Sequence, residues 1–425
     1  MLIKLRYVFL LLVCIISILV SGCGVPVVNF SPINVKINND PLMQNHSKFL
    51  FWNYSDMANI KNSLAHNNNL DLNVALSELK ENANNALTTG PFSVMDKTGI
   101  AASGNKHDYY SIGAYLWPSP NTADGLPYIN RDGEENPEHK TDKYDASNFL
   151  RMIRSVDALS LAYYYTENEQ YAAYAVKLIE TWFIDKSTRM NPNLNYSSGT
   201  PGVSTGNHGG IIQVNDLVSI ADDILFLQGS VSWTTTDEQS LDSWIGDFLN
   251  WLQNSSFGKA EKSISNNHGT YYYVQTVTYL LITGQNKLAA ELLEYPVKQL
   301  IDGQIKPDGS QPRELTRPTS YFYTFYNLEG LIKLCIMGDY LGIDLWHYSA
   351  SGGGSVISAI NFVIPYLDGK KWDYPNTGPL DYYNFISYLA RADEHLPDMD
   401  YHKTIDKLVG GLSKNDRIFL LCEFK

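Results

Sequence analysis

From about Phe51 onward the apolar residues of this chain recur at helical spacing, with no sustained strand alternation and no βαβ rhythm. The stretch "FLRMIRSVDALSLAYYY" (149–165) puts apolar residues at i, i+3, i+4 and i+7, and "TENEQYAAYAVKLIETWF" (166–183) follows with a similar pattern. Thr166 and Glu169 read as a capping box that opens the second helix. Together the two predict a helical hairpin. The same device recurs at Thr235 and Glu238, ahead of "QSLDSWIGDFLNWLQ". Further helices are expected at roughly 211–227, 268–283, 286–303, 321–342, 354–366 and 379–392. Successive hairpins of this length predict an all-α chain, an α/α toroid or incomplete α/α barrel, as a single domain over residues 51–425.

The N-terminus reads differently. Lys4 and Arg6 precede an apolar run from Tyr7 to Val20, short for a membrane span and typical of a secretory signal. Val20-Ser21-Gly22-Cys23 then looks like a bacterial lipobox, which makes 1–22 the signal peptide and Cys23 the lipidated first residue; an ordinary signal with a chance cysteine is the plainer alternative. The expected location is the cell envelope, with membrane contact only through that anchor. Residues 23–50 are rich in Asn, Pro and Val without periodicity and read as a tether. Cys14 leaves with the signal, so Cys335 and Cys422 could form one disulfide, but no disulfide framework or zinc site is indicated. The formal net charge of −13 argues against nucleic acid as a partner, yet allows an anionic ligand where basic residues gather. A monomer is expected.

Three long loops interrupt the helices, at 103–143, 186–210 and 304–320, and loops of this length are usually functional or disordered. Their Trp, Tyr and His content argues against disorder. The first gathers Lys106, His107, Tyr109, Tyr110 and Trp117, a cation, an imidazole and aromatic platforms suited to a charged sugar, or else a loop pinned by its own rings. The second ends with His208 just before a helix, where it can face a carboxylate or simply cap the helix. The third carries Arg313 and Arg317 before a tyrosine-rich helix start at Tyr321, Tyr323 and Tyr326. Arginine holds a carboxylate bidentately, and a tyrosine beside it can have its pKa drawn down. An ion pair with Glu314 and core tyrosines is the bland alternative.

"NNHGTYYYVQ" (266–275) puts two amides and an imidazole at the mouth of an otherwise apolar helix. Asparagine is a good N-cap, which explains one of them. Amide, imidazole, arginine and tyrosine together are what a uronate β-elimination requires. The C5 proton lies α to a carboxylate, so hydrogen bonds and positive charge on that carboxylate stabilise the enolate-like state. A base takes the proton and an acid protonates the departing O4. Asn267 and Arg317 would neutralise the carboxylate, His268 would serve as base or helper, and Tyr323 as acid and, in a syn elimination, base too. The scheme needs no metal or other cofactor. Asp222 and Asp223 are neighbours on a helix and point apart, and no ligand cluster stands out.

Four segments resemble the alginate lyase superfamily of helical polysaccharide lyases: "KHDYYSIGAYLWP" with "DGLPYINRDGEENPE", "NPNLNYSSGTPGV", "NNHGTYYYVQ", and "PDGSQPRELTR" with "YFYTFYNL". They span roughly residues 100–375 in the family's order. The resemblance implies a catalytic centre of Asn267, His268, Arg317 and Tyr323, with Lys106 in the substrate cleft. In the relatives most directly comparable the Arg and Tyr stand seven positions apart; Arg317 and Tyr323 stand six apart, which keeps Tyr321 in view as a substrate contact. The partner implied is an anionic polysaccharide, alginate through its mannuronate blocks first, glucuronan or another polyuronate next. A glycoside hydrolase would need two opposed carboxylates, and Asp108, Asp142 and Glu314 offer no compelling pairing. A non-catalytic glycan-binding lipoprotein could use the same loops.

Overall fold

The computed structural model describes residues 49–66, 69–381 and 383–424. The signal peptide, Cys23 and the tether up to residue 48 lie outside the described residues. Phe49 and Leu50, expected as the end of the tether, are core residues instead. The backbone N–H groups of Leu50 and Phe51 both donate to the carboxylate of Asp222, itself buried. The described residues belong to one compact unit.

The architecture is the α/α toroid that the periodicity predicts. Two N-terminal helices, α1 (Tyr54–Ala65) and α2 (Leu70–Leu87), lead through the first long loop into α3 (Ala146–Thr166) and α4 (Glu169–Ile179). After the second loop come α5 (Ile220–Phe226), α6 (Thr235–Asn254), α7 (Ser256–Lys262), α8 (Asn267–Ile282), α9 (Asn286–Leu292) and α10 (Lys298–Gln304). The third loop holds the single turn α11 (Pro312–Leu315), followed by α12 (Ser320–Leu341), α13 (Val356–Leu367), α14 (Phe385–His395) and α15 (His402–Val409). Helix α3 packs against α2, α4 and α5, while α8 packs against α6, α7 and α12. Helices α8 and α12 pack on each other in the interior. Every residue of α8 is buried except His268, and α12 is buried on nearly all sides. A helix apolar all round belongs in the interior, and these two carry that pattern.

Helix starts differ from the expected capping boxes by a residue or two. Thr166 is the last residue of α3, where its hydroxyl donates to the Ala162 carbonyl, and Asn168 caps α4. Between them Glu167 turns left-handed at φ 55°, which breaks the helix. The second box is real but belongs to Thr234 and Asp237. Helix α14 begins at Phe385, later than the expected 379. Cys335 and Cys422 are both buried and unbonded.

All three long loops are ordered by backbone pairing. β1 (Tyr110–Ile112) runs parallel to β4 (Tyr196–Gly199) and so joins the first loop to the second. β2 (Leu116–Trp117) and β3 (Ile129–Asn130) form an antiparallel ribbon in the first loop. Strands of two to four residues leave no readable alternation, so sequence periodicity misses them.

Candidate active site

The mouth of α8 assigns its three polar residues to three different tasks. Asn266 is the N-cap, its side chain accepting from the His268 backbone N–H at 3.0 Å. Asn267 is 1% exposed, and its backbone N and Nδ2 each donate to one oxygen of Glu314 at 2.7 Å. Burial pushes the Glu314 carboxyl up, and the two bonds from Asn267 oppose it. His268 is the one residue of α8 left accessible, its side chain 29% exposed. Its Nδ1 donates to Glu261 Oε1 at 2.6 Å, and His208 Nδ1 donates to Glu261 Oε2 at 2.6 Å.

Glu261 sits near the end of α7 with no exposed surface, so one buried carboxylate orients two imidazoles whose rings lie 6.4 Å apart. Burial alone would raise its pKa, but the bonds from His208 and His268 hold it below the ordinary carboxylate value. The same contact raises His208 above the usual imidazole range. Fixing Nδ1 as the donor leaves Nε2 of each neutral ring as the acceptor, the form a general base needs.

A second group gathers around α12 and the β2–β3 ribbon. The Tyr323 hydroxyl lies 2.6 Å from the Tyr115 hydroxyl, and the guanidinium carbon of Arg317 stands 3.6 Å from the centre of the Tyr323 ring. Arg317 gives Nε and Nη2 to the two oxygens of Asp132, at 2.7 and 2.5 Å. The arginine was expected to draw the tyrosine pKa down. The structure reverses that: burial of Tyr323 comes first and Tyr115 second, and together they push its pKa well above the usual phenol value although Arg317 pulls the other way. Glu314 ties the two groups together. It holds Asn267, its carbonyl accepts from the Arg317 backbone N–H at 3.1 Å, and its charge feels both Arg317 and His268.

Set beside known proteins, residues 93–372 match the alginate lyase family. The chain belongs to that family. It is a polysaccharide lyase. A crystal structure of an alginate lyase from Bacteroides ovatus is 33% identical, covering 89% of this chain and 100% of that one, at a TM-score of 0.85. An apo form of alginate lyase A1-III, an enzyme of Sphingomonas species A1, shares 14% identity over 91% of this chain and 99% of that one at a TM-score of 0.52, a likeness of fold. No curated protein matches.

Around this candidate centre the remaining expected residues fall into two sets. Lys106 is spent on the backbone, its Nζ donating to the Met95 and Lys97 carbonyls at 3.1 and 2.9 Å, and His107 Nδ1 likewise meets the Arg189 carbonyl at 2.6 Å. Tyr109 is 1% exposed and packs edge-on against Phe149, inside the core. Tyr321 is also interior, 5% exposed between Phe325 and Trp372, with burial pushing its pKa up to about 12. Both were expected at the substrate, but apolar packing claims them. Burial does not separate the two candidate tyrosines, Tyr323 being 7% exposed; the Tyr323 hydroxyl on Tyr115 and the Arg317 guanidinium over its ring do. Tyr110 is half-buried against Tyr144. Trp117 donates its indole N–H to the Glu134 carbonyl, with Arg131 over its ring, and Arg313 donates to the Ser265 carbonyl.

Sequence reading missed Glu261, Asp132 and Tyr115. Tyr115 lies inside "KHDYYSIGAYLWP", where its aromatic neighbours drew attention instead, and Asp132 lies in the turn "INRDG". Glu261 carries no signal, because a non-helical break separates it from His268 and only the fold aligns them. Among the described residues no three His, Cys, Asp or Glu side chains gather as a metal site. A cavity of about 310 Å³, lined by Trp52, Asp157, Asp216, Lys333 and Tyr388 among others, holds none of the candidate residues.

Proposed function

We propose that this lyase depolymerises alginate, preferring mannuronate-rich blocks, by β-elimination at the site just described. The observation that carries the reading is the Tyr323 phenol, buried beneath the Arg317 guanidinium with its hydroxyl on Tyr115, together with imidazoles whose tautomer Glu261 fixes. A base takes the C5 proton, the C5–H electrons form the C4–C5 double bond, the C4–O4 bond breaks, and O4 leaves with a proton. With its pKa raised, Tyr323 starts as the neutral phenol and suits the acid role at O4. In a syn elimination Tyr323 would instead have to start as the phenolate, the form that the Arg317 charge favours, take the C5 proton and pass that same proton to O4. His268 Nε2 suits the base role when C5 has the opposite stereochemistry. We assign the substrate carboxylate to the accessible His268, with His208 beside it, while Asn267, buried against Glu314, fixes the start of α8; positive charge at the imidazoles stabilises the enolate-like state. Lys106, His107, Tyr110, Trp117 and Arg313 shape the surrounding groove. We place the enzyme in the bacterial cell envelope as a monomer, anchored through a lipid on Cys23; a Cys23→Ala variant left in the membrane fraction would count against the anchor.

The test is ultraviolet absorbance of the purified protein with polymannuronate, polyguluronate and glucuronan separately, since elimination creates a conjugated double bond. A rise greatest on polymannuronate is expected, and Tyr323→Phe should lower it by about 10²–10⁴-fold. A rise on glucuronan alone reassigns the polymer. New reducing ends without absorbance would mean hydrolysis, and binding without either would mean a glycan-binding protein.

A further inference from the structure

Arg317 is already engaged before any substrate arrives. Its side-on edge, Nε and Nη2, is taken by both oxygens of Asp132 at 2.7 and 2.5 Å. A uronate carboxylate would have to compete with Asp132 for that edge, or take the less bidentate edge that remains. What remains distinctive is its place over the Tyr323 ring, the guanidinium carbon 3.6 Å from the ring centre.

The backbone that carries Asp132 is pinned on both flanks. It stands at the end of a ribbon tied by Arg131 N–H to the Tyr115 carbonyl at 2.9 Å, Glu134 N–H to the Arg131 carbonyl at 2.9 Å, and Asn136 N–H to the Ala114 carbonyl at 2.8 Å. The Asn136 amide adds a bond to the Leu116 carbonyl at 2.7 Å. The next residue, Gly133, turns at φ +81°, and a Cβ there would stand 3.3 Å from Pro318 Cβ, so the turn is pressed against the residue that follows Arg317. The backbone that presents the carboxylate is thus fixed against the segment that carries the guanidinium.

We propose that Asp132 is a positioning residue. It holds the Arg317 guanidinium over the Tyr323 ring, so that arginine acts on the phenol–phenolate change of Tyr323 and not as the ligand of the substrate carboxylate. This rests on the reading of Tyr323 as the acid–base residue of a lyase. It also divides the labour of the site: the α8 end binds charge on the sugar, and the ribbon side tunes the proton carrier.

The experiment measures kcat and KM separately on polymannuronate for Asp132→Asn and Asp132→Glu, with Tyr323→Phe alongside and thermal melting of each. A guanidinium freed to drift by about 1 Å costs on the order of 10²-fold, so Asp132→Asn should lower kcat by about 10–100-fold. Its KM should stay within about threefold of the parent, because uniform substrate binding is untouched. Asp132→Glu keeps the charge on a longer stem and should recover part of kcat. A KM that falls several-fold with kcat retained would overturn the proposal, since it means that the uronate displaces Asp132 from Arg317. Unchanged kcat and KM would overturn it too. If Asp132→Asn fails to fold, the Glu variant decides: a lower kcat at constant KM supports the role and a parental kcat refutes it. A fully active Tyr323→Phe is a different failure, that of the site reading itself.

Discussion

Replacing Glu261 by glutamine tests the structural centre of the site. The carboxylate has no exposed surface and accepts two imidazole N–H bonds at 2.6 Å. Hydrogen bonds to a charged group contribute about 1.5–3 kcal/mol each, so the pair supplies roughly 3–6 kcal/mol before costs. Glutamine removes a buried charge, which offsets several kcal/mol of that. Its NH₂ head, however, cannot accept from an imidazole Nδ1–H, so one histidine must turn away or lose its partner. We expect a net loss of about 1–3 kcal/mol, at the lower end of the usual cost of breaking a buried network.

The pH dependence carries a sign. Glu261 titrates below its ordinary value, so its contribution is present above the ordinary carboxylate pKa and lost as pH falls through the folded one. His208 titrates above its ordinary value, so its contribution is present below the ordinary imidazole pKa and fades as pH rises through the folded one. The stability gap between parent and Glu261→Gln should therefore be widest between about pH 4.5 and 6.5. The His208 side chain is 41% exposed, and solvent screening makes its share the smaller one. Denaturant unfolding at several pH values reads the gap, and the ultraviolet lyase assay reads kcat, which should fall by about 10²-fold as the imidazoles lose their orientation. A gap that is flat across pH, together with parental kcat, would refute the reasoning.

Two further perturbations follow from the geometry. Tyr115→Phe removes the phenol that helps raise the Tyr323 pKa, so kcat should fall by about tenfold, and any rise of rate with pH that depends on the Tyr323 phenolate should begin at lower pH; an unmoved pH–rate profile would count against the contact. Lys97→Met strands Asp145, its fully buried partner at 3.0 Å, and should cost about 3–5 kcal/mol in denaturant unfolding. Burial already raises Asp145 to about 7, so its folded form prefers the proton and stability declines as pH rises towards that value; without Lys97 the decline should extend to higher pH, and a pH-independent loss would argue otherwise.

The helices were legible because each has a local cause. Helix α8 was expected at 268–283 and runs Asn267–Ile282; α12 was expected at 321–342 and runs Ser320–Leu341. Asn266 as an N-cap is likewise a local fact. The capping boxes slipped because Thr234 and Thr235 are adjacent, as are Asp237 and Glu238, and only the backbone turn chooses between the two frames. Four site residues carried a family likeness, and the structure gathers them at two adjoining groups linked by Glu314. Their supports were not legible. Asp132 reaches Arg317 across 185 positions and Tyr115 reaches Tyr323 across 208, so no spacing rule connects them. Tyr109 and Tyr321 drew attention because an aromatic beside polar residues fits a sugar platform and a core anchor equally well, and only the rings packed around each tell the two apart.

The joining of the first and second loops through β1 and β4 has a consequence in time. Hairpins such as α3–α4 pair neighbours in sequence and close early, whereas contacts spanning 53 positions at His208–Glu261 and 208 at Tyr115–Tyr323 must wait for loop closure. The helical frame can therefore stand before the enzyme works. On the way out of the native state the order reverses, and mild denaturation should silence the lyase while its helices still hold.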